Sequence, residues 1–303
     1  RVMIDPARSK GPLDLQKVIA YAKTKDIGIL LYVNRRALER QLDTLLPLYK
    51  KWGIKGIKFG FVQVGSQKWT NWLHEAVRKC AEFEMLVDVH DEYRPTGYNR
   101  TYPNLMTQEG IRGDEESPTN ETILTTLFTR MIAGAGDQTN AYFTNRISKM
   151  GSRSSQMAKT ILIYSPLQFI YWYDRPGSKG SDLTREGIIN TNLQDLNFYD
   201  HLPTVWNETK VLESSIANYA TIARKKDNNW YVGSITNKQR SVTLNFNFLD
   251  VGKTYNATVY TDDPNSTSPT KVKITNETIT SKTILRFLVN DNNGFAIRIT
   301  PIN

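Results

Sequence analysis

The sequence predicts an α/β domain followed by an all-β domain: a partial (β/α)8 barrel over residues 1–204, then a C-terminal antiparallel β-sandwich over 205–303. Three observations predict this. Continuous apolar runs alternate with helical patterns through the first two thirds, as in a parallel sheet covered on both faces. From about Pro203 the pattern changes to short strands separated by turn residues, without helices. Finally, roughly six strand patterns precede Pro203, whereas a barrel needs eight, so the barrel is expected to enter partway with its first strands missing.

Taken in order, Val2 to Asp5 reads as the end of a buried strand, and residue 1 is Arg, so a preceding segment is expected. Ile29 to Val33 is a continuous apolar strand. Leu38, Leu42, Leu45, Leu46 and Tyr49 then recur at helical spacing. Gly56 to Val62 is a second strand. Trp69 to Glu84 reads as a helix with Trp72, Leu73, Ala76, Val77 and Cys80 on one face, and Met85 to His90 is a third strand. Thr129 to Gly134 and Pro166 to Ile170 are further candidates. Beyond Pro203, strands are expected at 218–224, 230–235, 242–246, 255–260 and 295–299. Turn chemistry stands at Asp227, Asn228 and Asn229 and at Asp291 to Gly294.

Composition narrows the function. A hydrophobic share of 39% allows packed cores, and no apolar window reaches the roughly 20 residues of a membrane helix. The single cysteine, Cys80, rules out an intramolecular disulfide and a multi-cysteine metal site, and is read as core. The net charge is +9, but Lys and Arg are scattered, so a solvated surface rather than a nucleic-acid interface is expected. The sequons at Asn99, Asn120, Asn207, Asn256, Asn265 and Asn276 read as polar surface.

Polar density peaks just after the third strand. His90, Asp91 and Glu92 are followed by Glu109, Asp114, Glu115 and Glu116, interleaved with Arg94, Arg100 and Arg112 and broken by Pro and Gly. Functional groups of parallel barrels gather where strands end and loops begin. Taken alone, the cluster also fits a solvated loop of ordinary ion pairs. Two chemistries suit it: glycoside hydrolysis by paired carboxyl groups, and binding of a hard cation through several carboxylate oxygens. No HExxH helix or Cys/His set suggests zinc, and Ser152 and Ser154 have no nearby His to form a serine-nucleophile site.

Here a resemblance becomes specific. The run His90, Arg94, Pro95, Thr96, Gly97, Arg100, Thr101, Tyr102, Pro103, Asn104, Glu109, Arg112, Gly113 and Glu115 is similar to the signature of glycoside hydrolase family 97, bacterial α-glucosidases and α-galactosidases. Supporting matches lie at Tyr49 to Gly53, Ile57 and Lys58, Pro203 to Trp206, and Ala223, Arg224 and Trp230 to Gly233. The resemblance implies an N-terminal β-sandwich and the first barrel strands in sequence beyond this chain, an oligosaccharide or α-glycoside substrate, an active-site Ca²⁺, and a periplasmic or secreted location.

The resemblance also assigns roles. Retaining members carry an Asp nucleophile where this chain has Gly60; inverting members have glycine there and a carboxylate directly after the histidine equivalent to His90, which here is Asp91. Both features point to inversion. Glu115 matches the general acid. Asp91, Glu109 and Glu115 match calcium contacts, and Lys58 and His90 match residues that hydrogen-bond the sugar. Two positions depart from the pattern: Asp91 stands where Glu is usual, with Glu92 as an alternative, and Asn34 falls nearest to a second base glutamate, leaving it a sugar-contact role. The expected function is an exo-acting, inverting α-glucosidase. A retaining α-galactosidase-like enzyme and a catalytically silent carbohydrate-binding relative are the alternatives. Trp69 and Trp72 are expected in the core, Trp206 and Trp230 in the sandwich, and His74 and His201 at the surface. A sugar contact at Asp137 is a further option.

Overall fold

The computed structural model describes residues 14–91, 93–144, 146–170 and 193–302. The chain forms two compact units, Arg1–Gln108 and Glu109–Asn303. Val2 to Asp5 lies outside the described residues.

The first unit is a layered α/β segment. Helix α1 (Leu15–Thr24) precedes strand β1 (Leu30–Asn34), α2 (Arg35–Trp52), β2 (Gly56–Gly60), α3 (Gln67–Glu82), β3 (Leu86–Val89) and β4 (Leu105–Gln108). The four strands form one parallel sheet in sequential order, as expected of consecutive βα units. Asn34 caps α2 by accepting a hydrogen bond from the Arg36 N–H at 3.0 Å, and Gly53 ends it at φ 81°, a conformation glycine adopts without strain. The α2 residues Leu38, Leu42, Leu45, Leu46 and Tyr49 are all buried. With Leu73, Ala76, Val77 and Cys80 of α3 they pack on Val33, Ile57, Phe59, Val87 and Val89. The 3.6-residue period of the helices therefore meets the two-residue period of the strands on one face of the sheet. Strand β4 escaped sequence reading because its four residues carry only two large apolar side chains, Leu105 and Met106, before the polar Thr107 and Gln108.

The second unit opens with helical segments. These are α4 (Asn120–Phe128), α5 (Ile147–Met150), α6 (Arg153–Leu162) and α7 (Asn197–Asp200). Antiparallel strands follow: β5 (Glu208–Ser215), β6 (Tyr219–Lys226), β7 (Asn229–Thr236), β8 (Arg240–Asn245), β9 (Tyr255–Asp262), β10 (Val272–Ile279), β11 (Ile284–Val289) and β12 (Gly294–Pro301). Six of them form a sheet in the order β10-β9-β12-β7-β6-β5, and β11 pairs with β8 in a second layer. Trp230, Val232, Val259 and Ile297 from the large sheet and Val242, Leu244 and Val289 from the small one share a core, which defines the sandwich. Helix α6 covers the opposite face of the large sheet, with Met157 and Ile161 against Tyr231 and Ala296. It lies so close that a Cβ on Gly233 would stand 2.6 Å from the Ala158 carbonyl oxygen, so only glycine fits there. Among the described residues no helix is long and apolar enough to cross a membrane.

Three expectations are corrected. Residues 129–134 are not a strand: Arg130–Ala133 is a 3-10 turn. The Arg130 guanidinium donates to the carbonyls of Gly134, Ala135 and Glu109 at 2.8–3.0 Å, so the backbone closes around that side chain instead of extending. Residues 166–170 likewise form no strand within the described residues; a single parallel bridge joins Ile170 to Asn140. Pro166 has no N–H to give a ladder, and Gln168 donates its side-chain amide to the Thr160 carbonyl at 3.0 Å. The Asn120 sequon is not surface, since its amide is buried and donates to the carbonyls of Thr236 and Asn293, each at 3.1 Å.

Candidate functional site

In the first unit, pairing register sets the polar groups. Tyr32 lies opposite Lys58, Lys58 opposite Asp88, and Asp88 opposite Thr107. Because side chains alternate along a strand, this row points away from the face that packs on α2 and α3. Lys58 Nζ and the fully buried Asp88 carboxylate form a salt bridge of 3.0 Å. Lys58 was the residue expected to contact sugar. Asp88 was missed, because it sits inside an apolar run and only the pairing register shows it facing the lysine.

Two residues further along the strands, Asn34 pairs with Gly60. The His90 N–H donates to the Phe59 carbonyl at 2.9 Å. The His90 ring meets the Tyr32 ring edge-on at 6.2 Å. A Cβ added at Gly60 would lie 2.1 Å from the Tyr32 hydroxyl, so the phenol fills the space a side chain at 60 would enter. The next residues turn sharply: Phe61 and Asp91 have φ of 57° and 70°. A non-glycine residue at positive φ costs of order 1–3 kcal/mol, and Asp tolerates it better than most. His90 Nδ1 and Asp91 Oδ1 are 4.0 Å apart, beyond hydrogen-bond length. Asn34 uses its side-chain oxygen as the α2 cap. Glu92 lies outside the described residues.

In the second unit, Glu109 and Glu115 each present a carboxylate oxygen, the two within 4.8 Å of one another. Oxygens that share a Ca²⁺ at about 2.3–2.6 Å can be no more than about 5 Å apart, so the pair fits a common hard cation. Arg130 anchors the Glu109 backbone by donating to its carbonyl at 2.8 Å. Glu115 sits in the 3-10 turn Asp114–Glu116. Gly113 precedes it because a Cβ there would lie 2.8 Å from Thr139 Oγ1 and 3.2 Å from the Gln138 carbonyl. Asp114 is fully buried, accepting from Gln138 Nε2 at 2.6 Å and from the Ala141 N–H at 2.8 Å. Burial pushes its carboxyl above the usual carboxylate range, opposed by the positive charge of Lys159. Burial in turn pushes the Lys159 ammonium below its ordinary value, opposed by Asp114. Asp137 is also buried and accepts from the Thr139 N–H at 3.2 Å. Trp72 packs on the α/β core and Trp230 lies in the sandwich core. Trp206 packs on the α6 side of the large sheet. His74 stacks on Tyr98 at 4.0 Å rather than standing free at the surface.

A parallel α/β segment with carboxylates after its strand ends, followed by an antiparallel sandwich, is a familiar glycoside hydrolase plan. The comparisons agree. The glycoside hydrolase 97 model matches residues 2–111, and the glycosyl-hydrolase 97 C-terminal, oligomerisation model matches residues 205–300. The chain is 30% identical over 273 residues to the retaining alpha-galactosidase of Bacteroides thetaiotaomicron, covering 84% of this chain and 39% of that protein. A family 97 enzyme from Pseudoalteromonas sp. strain K8, solved with panose, superposes with a TM-score of 0.78 at 22% identity, over 96% of this chain and 49% of that one. A beta-arabinopyranosidase gives 0.71 at 17% identity, over 94% and 48%. The chain belongs to glycoside hydrolase family 97. It spans about two fifths of the curated relative's length.

Proposed function

We propose that the full-length protein is an exo-acting α-glycosidase that hydrolyses α-glucosides with inversion. Glu115 protonates the leaving oxygen and Asp91 activates the water. Lys58 and His90 hydrogen-bond the sugar, Asn34 contributes to the same pocket, and Asp91, Glu109 and Glu115 hold Ca²⁺. The ion, when bound, orients the sugar and offsets the carboxylate charge. In this reading residues 1–204 complete a barrel whose first strands and N-terminal sandwich lie elsewhere in the full chain. Residues 205–303 are the C-terminal sandwich, and the protein acts in the periplasm or outside a bacterium.

The observation that carries inversion is Gly60. Position 60 has no carboxylate, and the Tyr32 phenol stands where one would begin. A nucleophile on the protein is therefore missing at the position that retaining members use. A second reading, a retaining α-galactosidase, is favoured by the name of the Bacteroides relative. It requires a nucleophile from another residue, such as Glu92. A catalytically silent sugar-binding protein is the third. Turnover of aryl α-glucosides and aryl α-galactosides by the full-length protein, with and without a calcium chelator, separates them. Glucoside turnover abolished by chelation and restored by Ca²⁺ is expected. Exclusive galactoside turnover supports the second reading, and sugar binding without turnover the third.

A further inference from the structure

Glu115 is held in place through its backbone. Three consecutive residues, Gly113 to Glu115, are tied to Gln138, Thr139 and Arg146. Gly113 packs against Thr139 and Gln138 with no room for a side chain. The Asp114 N–H donates to the Gln138 carbonyl at 3.1 Å. The Glu115 carbonyl accepts from Arg146 Nη1 at 2.9 Å. Asp114 is the centre of this arrangement, with each carboxylate oxygen taking one donor: the Gln138 side-chain amide at 2.6 Å and the Ala141 N–H at 2.8 Å. A buried carboxylate is costly to maintain, and this one points away from solvent, where it can touch no substrate.

We propose that Asp114 is the positioning residue for the general acid: its two-oxygen grip on Gln138 and Ala141 sets the turn that aims the Glu115 carboxyl. The inference rests on Glu115 being the acid. Both partners of Asp114 are N–H donors. Asparagine keeps the shape but offers one oxygen and one NH₂, so one donor would face another donor. The turn must then shift, and Glu115 moves with it. A misplacement of about 1 Å in a reacting group costs on the order of 100-fold in rate.

The test compares Asp114→Asn with wild type and Glu115→Gln in the full-length protein. Substrates are an α-linked glucose disaccharide, which needs acid assistance, and α-glucosyl fluoride, which leaves with little. For Asp114→Asn the expected result is a kcat loss of roughly 10- to 100-fold on the disaccharide and within about 3-fold on the fluoride. Gln138→Met, which removes one donor and little volume, should give a smaller loss of the same selectivity, and it serves as the test should Asp114→Asn not fold. Equal loss on both substrates, or none on either, in a folded variant overturns the positioning role. If Glu115→Gln itself loses both activities equally, the acid assignment falls, and the positioning proposal falls with it. Absence of turnover in wild type overturns the functional reading instead.

Discussion

Replacing Lys58 by Met should be among the most destabilising single changes in the first unit. Lys58 Nζ lies 3.0 Å from Asp88, whose side chain is fully buried while that of Lys58 is 13% exposed. At an effective dielectric near 20, two charges at that separation attract by about 5 kcal/mol, an upper scale for the pair. Methionine keeps most of the aliphatic volume but leaves a carboxylate in the interior without its cation. Breaking a buried pair in this way costs about 3–5 kcal/mol. Asp88→Asn should cost less, about 1–2 kcal/mol, because the Lys58 side chain keeps some exposure and its ammonium can recover part of its hydration. The double variant should be less destabilised than the sum, with a coupling of about 2 kcal/mol. Urea unfolding of the four proteins measures this, with m compared to confirm an unchanged unfolded state. Stability is the readout because Lys58 is also a proposed sugar contact. A Lys58→Met cost below about 1 kcal/mol with coupling below about 0.5 kcal/mol would refute the argument that Asp88 depends on this cation.

Three further outcomes are expected. Glu213 accepts from both Arg240 Nη1 and Nη2, at 2.6 and 2.8 Å, and these bonds hold its carboxyl below the usual range. Its contribution, about 1 kcal/mol, should be complete above the ordinary value of 4.5 and disappear as pH falls through the lower folded value. The stability gap between wild type and Glu213→Gln should therefore be flat near neutrality and close in acid; a gap that widens in acid contradicts the assignment. Burial pushes the Cys80 thiol up to about 12, so a thiol reagent at neutral pH should label it only after unfolding, and prompt labelling of the native protein would contradict its place in the core. Gly233→Ala puts a Cβ 2.6 Å from the Ala158 carbonyl oxygen. That should cost about 1–3 kcal/mol, read as a Tm fall of roughly 2–10 °C; an unchanged Tm would mean that α6 does not sit where it is described.

What the sequence disclosed follows from periodicity. The apolar positions of α2 and α3 and the runs of β1, β2 and β3 were legible because each element buries a full face. Strands β5, β10 and β11 were not: β5 and β10 alternate weakly and have exposed stretches that resemble loop sequence, while β11 alternates in burial but carries the apolar Ile284 and Leu288 on its exposed side, which hides the period. The 129–134 segment deceived because Met131, Ile132 and Ala133 look like a strand, while the deciding interaction is the Arg130 side chain binding carbonyls. For the candidate site, His90, Asp91, Glu109 and Glu115 were proposed from the motif. Asp88 and Asp114 were not singled out, because their significance lies in partners 24 to 30 positions away, Lys58 and Gln138. Single-sequence reading has no access to such pairings. The role of Gly60 was inferred from a missing side chain, and the Tyr32 phenol in that space emerges only from the paired strands.

The most direct test of the proposed mechanism is an NMR time course of the first product released from an α-glucoside by the full-length protein. Because Gly60 carries no carboxylate, water rather than a protein side chain should attack the anomeric carbon, so the β-anomer should appear first and mutarotate later. Initial accumulation of the α-anomer would contradict the account, because it demands a covalent intermediate and a nucleophile at another position.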